Sequence, residues 1–108
     1  MAPPLLIDFD TLRAAPVVAD TPAIEAVNPH RGAMRLLDAV VYADTDSLTY
    51  GAYRDIGDDE FWVPGHIPGR PIFPGVLMVE AHGQAASVYC SRVYEHGKIM
   101  VFAGVEKV

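Results

Sequence analysis

A chain of 108 residues without an internal repeat is at most one domain, and a domain of this size buries only about two thirds of its unfolded surface, so its core is modest. Eight scattered Lys and Arg against a formal net charge of −6 exclude a nucleic-acid role, which needs a concentrated basic surface. Hydrophobic residues make up 51% and charged residues 20%, leaner in charge than the roughly 25% usual for a small domain, a composition that anticipates a partner.

Residues 1–20 mix Pro, Ala and Asp without period and predict an extended N-terminal arm, followed by a domain over 21–108. The arm has no basic segment leading into a long apolar core, so it does not read as a signal peptide, and no apolar run reaches spanning length. A soluble, cytoplasmic protein without membrane insertion is expected. The single Cys90 cannot form an internal disulfide and falls in an apolar helical stretch, which suits a reducing compartment.

Thr21-Pro22 predicts a helix N-cap with proline at N1, and Ala23–Val27 a short helix ended by Asn28-Pro29. Arg35–Tyr42 and Ser47–Tyr53 are apolar, β-branched or aromatic in part, and flank the turn-rich Ala43–Asp46, which predicts an antiparallel hairpin. Gly75 to about Glu95 lacks proline and predicts one long helix, apolar on most sides as a helix wrapped by sheet would be. Lys98–Val105 predicts a strand that needs covering.

Between hairpin and helix lies Gly65-His66-Ile67-Pro68-Gly69-Arg70-Pro71-Ile72-Phe73-Pro74-Gly75, a loop stiffened by three prolines and three glycines around one imidazole. The helix that follows carries one polar stripe, Glu80, Gln84, Ser87 and Ser91, at i, i+4, i+7 and i+11. A carboxyl group without partners in an apolar place costs several kcal/mol or keeps its proton, so Glu80 is a candidate acid and His66 a candidate base. Two such groups on one cavity suit elimination or addition of water. Gly75, at the helix start, offers unpaired N–H groups to developing negative charge and lets an acyl chain approach the backbone. The alternative readings are a turn histidine and a solvated helix face.

His66 and Glu80, 14 positions apart, sit in a passage that resembles the (3R)-3-hydroxyacyl-acyl-carrier-protein dehydratases of type II fatty acid synthesis. Gly65–Gly69 and Pro71–Leu77 match the family's loop, Glu80-Ala81 and Gln84-Ala85 its helix, and Pro29-His30-Arg31 with Leu36-Leu37-Asp38 its first helix-to-strand passage. The resemblance runs from about Ile24 to the C-terminus. It implies an α+β hotdog fold, a long central helix wrapped by a curved antiparallel sheet, assembled as a homodimer or higher homo-oligomer with active sites at the subunit boundary. His66 would remove the C2 proton of a 3-hydroxyacyl thioester and Glu80 of the other subunit would help the C3 hydroxyl leave as water, giving a trans-2-enoyl thioester. The Gly75 N–H would bind the thioester oxygen, with Pro74, Val76 and Gln84 lining the substrate. Glu80 rather than aspartate resembles the branch that does not isomerise the double bond.

The resemblance implies no metal and no cofactor, and the four histidines show no ligand spacing. The implied partner is an acidic acyl carrier protein with its acyl-phosphopantetheine, for which Arg70, then Arg92 and Lys98, are the candidate docking cations. Three departures stand out. Ile67 replaces a usual aromatic, His82 takes a helix position usually small or apolar, and the family's sequence continues past Val108 with further strands, leaving the hotdog incomplete in this chain. A non-catalytic subunit completed by a paralogous hotdog chain, and an acyl thioesterase, are the alternative functions.

Overall fold

The computed structural model describes residues 3–94 together with Gly104 and Glu106, so the strand expected over Lys98–Val105 and the candidate cation Lys98 lie outside the described residues. Segment 1–20 is not wholly extended: Phe9–Ala14 forms a short helix, α1, because the Asp8 carboxylate caps it by accepting the Thr11 N–H at 2.9 Å. Beyond it the backbone straightens and joins the sheet, with the Ala19 N–H donating to the Val40 carbonyl at 3.0 Å and the Val40 N–H returning to Ala19 at 2.9 Å.

Helix α2 spans Thr21–Val27, and its cap is Asp20 rather than Thr21: the Asp20 side chain accepts the Ala23 N–H at 3.0 Å, which places Pro22 within the first turn where no donor is missed. It ends at Asn28, whose extended backbone is what a following proline favours. Arg31 secures that end by donating to the carbonyls of Glu25, Asn28 and His30 at 2.8–2.9 Å. A single 3₁₀ turn over Gly32–Met34 then redirects the chain.

The hairpin is present but begins later than expected: β1 is Ala39–Asp44 and β2 is Thr49–Tyr53, antiparallel, with a bulge at Val41 between the pairs Val40–Ala52 and Tyr42–Gly51. Arg35–Asp38 leads into β1 without belonging to it, although Leu36 and Leu37 are buried. The connection runs through residues 45–48, because the Asp44 carboxylate accepts the N–H groups of Asp46 and Ser47 and folds the chain back. Leu48 takes a φ of +56°, a conformation that L residues adopt reluctantly.

Helix α3 spans Gly75–Tyr94 and packs against β2 and α2. The core is Ala19, Ile24, Leu37, Val40, Ala85 and Val88, with Tyr50, Ala52 and Ala81 packed on it. Ile24 and Val40 are wholly buried, and each such side chain contributes about 1.5–3 kcal/mol of transfer free energy. Tyr89 stacks on Tyr50 with ring centroids 5.0 Å apart and donates to the Asp44 carbonyl at 3.2 Å, fixing the far end of α3 to the hairpin. Among the described residues the sheet covers α3 on one side only, and Val76 and Met78 remain 78% and 60% exposed. No helix among these residues is long and apolar enough to cross a membrane.

Candidate active site

The histidine loop is built on a buried tryptophan. Trp62 packs edge-on against Phe61 and Phe73, with centroids 5.3 and 4.6 Å apart, and the Arg54 guanidinium lies over its ring while pairing with Glu60. The Trp62 carbonyl accepts the His66 N–H at 2.7 Å, tying the imidazole's backbone to this anchor. Pro68-Gly69 forms the centre of a tight turn closed by Arg70 N–H to Ile67 C=O at 2.9 Å; Gly69 sits at φ +77°, the left-handed region that a type II turn demands at this position.

Across the loop, the Ile72 N–H donates to the His66 carbonyl at 2.9 Å, and His66 Nδ1 lies 2.9 Å from the Ile72 carbonyl oxygen. A carbonyl only accepts, so Nδ1 carries the proton and Nε2 carries the free lone pair. His66 is thus exposed, oriented by its own backbone loop, and in the tautomer a proton acceptor needs.

Glu80 stands on the first turns of α3, half-buried. Its Oε1 lies 3.1 Å from Gln84 Nε2 and 3.2 Å from His30 Nε2, while Oε2 has no hydrogen-bond partner among the described residues. Gln84 is buried, which sets aside the solvated-face reading at this position, and its amide is committed: Nε2 also donates to the Met34 carbonyl at 2.9 Å, and Oε1 accepts the Leu36 N–H at 2.9 Å. Both amide hydrogens are therefore used within the chain, which departs from the expectation of Gln84 as a substrate contact and makes it a clamp between Glu80 and the 3₁₀ turn. Asn28, also buried, donates to the Gln84 carbonyl at 3.0 Å. Ser91 turns back on its own helix, donating to Val88 C=O at 2.6 Å.

His30 stands in the matching Pro29-His30-Arg31 tripeptide, and nothing in the sequence around it marks it for chemistry. A residue 50 positions from Glu80 leaves no periodic trace, so only the tertiary fold brings the two together.

The remaining candidates fall into place around these. Pro74 precedes α3, its carbonyl accepting the N–H groups of Leu77 and Met78 at 3.0 and 3.2 Å, so the N–H groups of Gly75 and Val76 have no intrahelical acceptor. Nothing lies within 4 Å of where a Gly75 Cβ would stand, and Gly75 and Val76 are exposed. Arg70 is exposed in the loop and makes no ion pair among the described residues. Arg92 does not share that freedom, because its guanidinium donates to the Val18 carbonyl at 2.6 Å and straps the N-terminal segment to α3. His82 is an exposed residue whose Nε2 lies 3.0 Å from the Tyr50 hydroxyl. An apolar groove of about 570 Å³ runs between β2 and α3, bordered by Tyr50, Phe73, Met78 and His82, but neither His66 nor Glu80 lines it. The described residues hold no cluster of His, Cys, Asp and Glu suited to a metal ion.

Within this chain, then, His66 and Glu80 are each held in a fixed pose but do not touch; Glu80 meets His30 instead. The chain matches the FabA-like domain family over residues 28–108. It is 39% identical over 84 residues to the 3-hydroxyacyl-[acyl-carrier-protein] dehydratase FabZ of Herpetosiphon aurantiacus, an alignment covering 77% of this chain and 59% of the relative. The protein of that name from Alkaliphilus metalliredigens is 38% identical over 85 residues, covering 78% and 57%, and that from Streptococcus thermophilus is 38% identical over 90 residues, covering 82% and 62%. The chain thus spans about three fifths of the length of the curated relatives it matches. A hairpin beside one long helix, the matched span from Asn28 onward and this level of identity together establish that the chain belongs to the FabA-like family and carries part of its hotdog fold.

Proposed function

We propose that this chain acts as a hydro-lyase, converting 3-hydroxyacyl thioesters of an acyl carrier protein to trans-2-enoyl thioesters in fatty acid biosynthesis, in a cytoplasmic setting and without metal or cofactor. The observation that carries the reading is the His66–Ile72 contact: by holding Nδ1–H on a carbonyl 2.9 Å away, the loop leaves Nε2 as a lone pair for the C2 proton. The electron pair released from that C–H bond moves toward the thioester carbonyl, whose developing charge suits the free N–H groups at Gly75. It then returns to form the C2–C3 double bond as the C3–O bond breaks, and a proton from Glu80 converts the departing hydroxyl to water. The relatives' shared name, a dehydratase of carrier-bound 3-hydroxyacyl groups, supports the reaction class.

His66 of one copy meeting Glu80 of another is part of the proposal. Ile67, Ile72, Val76 and Met78 surround the loop and the start of α3, and all are exposed large hydrophobics, an apolar rim suited to a second copy or a related hotdog chain. For the acidic carrier, Arg70 is the docking cation best supported, being exposed beside the loop with no ion pair among the described residues, whereas Arg92 is engaged with Val18.

The test is hydration of crotonyl thioester, followed as loss of the enoyl chromophore. His66→Ala and Glu80→Gln should each lower turnover by about 10²- to 10⁴-fold. Turnover that survives both substitutions would discard the assignment, and release of free thiol would move it to thioester hydrolysis.

A further inference from the structure

We propose that His30 is a positioning residue that, with Gln84, holds Glu80 Oε1 and reserves Oε2 as the oxygen that transfers the proton; this rests on the hydro-lyase reading above. The two contacts converge on one oxygen. Gln84 Nε2 reaches Oε1 at 3.1 Å and His30 Nε2 reaches the same Oε1 at 3.2 Å, while Oε2 has no hydrogen-bond partner among the described residues. A carboxyl group whose two oxygens are distinguished in this way has one reactive end and a fixed torsion.

The tautomer of His30 follows from its other nitrogen. Nδ1 is buried without a hydrogen-bond partner. A proton there would be a buried N–H with no acceptor, rarer and costlier than an unfilled acceptor, so the proton sits on Nε2 and points at Glu80. The imidazole is held from behind, since its own carbonyl and that of Asn28 both accept from the Arg31 guanidinium at 2.8 Å, and Asn28 is in turn bonded to the Gln84 backbone at 3.0 Å. His30, Asn28 and Gln84 thus form one connected support under Glu80, drawn from the end of α2 and the middle of α3. His30 touches no reacting atom in this scheme; its role is to fix which carboxyl oxygen faces the substrate.

The experiment compares His30→Ala with His30→Gln in the full chain. A glutamine amide reaches the place of Nε2 and keeps an N–H there, whereas alanine removes it. A displacement of about 1 Å at a reacting group is worth on the order of 100-fold, so His30→Ala should lower kcat on crotonyl thioester by roughly 10- to 100-fold with KM little changed, and His30→Gln should restore most of it. Equal kcat in wild type and His30→Ala, or a His30→Gln variant as slow as alanine, overturns the proposal. Loss of turnover in His66→Ala and Glu80→Gln alongside an unaffected His30→Ala would sink the positioning role alone, while turnover surviving in all of them sinks the hydro-lyase reading. The contact is read independently of turnover by ¹⁵N spectra of the histidine side chains: a protonated Nε2 and bare Nδ1 at His30, shifted by Glu80→Ala, support the proposal. The opposite tautomer, or signals indifferent to Glu80→Ala, refute it whatever the activity.

Discussion

Gln84 offers the sharpest test of how the site is held. In Gln84→Met the side chain keeps its volume but loses all three polar contacts, to Leu36 N–H, Met34 C=O and Glu80 Oε1. These losses are unequal. Met34 is 45% exposed and Glu80 half-buried, so both partners lie near the surface; Leu36 is wholly buried, and its N–H has nowhere else to go. Leaving such a donor unpaired costs about 1–3 kcal/mol, slightly offset by the apolar thioether, so a net loss of about 2 kcal/mol is expected. Against a total of about 5–15 kcal/mol for a domain this is a large fraction, and it lowers the melting temperature by about 10 °C. Urea unfolding followed by the fluorescence of Trp62, the only tryptophan, measures it. Gln84→Glu is the informative companion: it can still accept from Leu36, but sets an acceptor-only carboxylate where a donor stood 3.1 Å from Glu80 Oε1 and 2.9 Å from the Met34 carbonyl. Its deficit should therefore be greatest at neutral pH and shrink as acid protonates the introduced carboxyl and restores a donor. A Gln84→Met variant within about 0.5 kcal/mol of wild type, or a Gln84→Glu deficit that does not depend on pH, would refute the clamp.

Three further outcomes follow from the surrounding structure. Partial burial pushes the Glu60 carboxyl up, yet hydrogen bonds from Arg54 and from the Gly57 N–H, with the Arg54 charge, outweigh it and leave the group below its ordinary 4.5; a carboxyl depressed on folding stabilises above its unfolded value and loses that effect as pH falls through the folded one, so Glu60→Gln should cost stability at pH 7 and nothing once both states are protonated, as urea midpoints across pH would show. Gly69→Ala meets no atom within 4 Å but must hold φ +77°, so it should cost about 1–2 kcal/mol and slow turnover through His66, and an unchanged melting temperature would contradict the type II turn. Leu48→Gly relieves a φ of +56° at an exposed position and should raise stability by about 0.5 kcal/mol, whereas a loss would mean that the leucine side chain contributes more than its strain.

Local signals were legible and tertiary ones were not. Pro22 in the first turn of α2 and Asn28 at its end, the hairpin and the whole of α3 follow from proline, glycine and apolar period, and the i, i+4 spacing anticipates the Gln84–Glu80 contact. The errors lie where a neighbour a residue or two away competes. Asp20 caps α2 instead of Thr21, because either side chain suits the role and only the backbone path decides. Leu36 and Leu37 have strand-like composition but are buried by the passage around Gln84 rather than by a ladder. α1 is not legible in the sequence because six residues with no buried side chain leave no amphipathic stripe; its one local signature is Asp8 three residues before Thr11. His30 and Arg92 find their partners across 50 and 74 positions, beyond any periodicity.

What these partners share is that, in the proposed two-copy site, each half is finished before the halves would meet. His66 receives its tautomer from Ile72, six residues away in its own loop, and Glu80 receives its orientation from Gln84 and His30 in its own chain. Neither relies on the other for its pose. A second copy would then have only to bring two prepared groups to opposite ends of one C–C bond, and little ordering cost would remain at association. The exposed apolar residues beside the loop and along the start of α3 would supply the attraction for that step, while His66 and Glu80 are held by hydrogen bonds within the chain. A substitution on that rim, such as Met78→Glu, should therefore abolish turnover by separating the subunits yet leave the ¹⁵N signature of His66, with Nδ1 protonated, as it is in wild type. Loss of that signature on dissociation would show that the histidine is oriented by the partner after all.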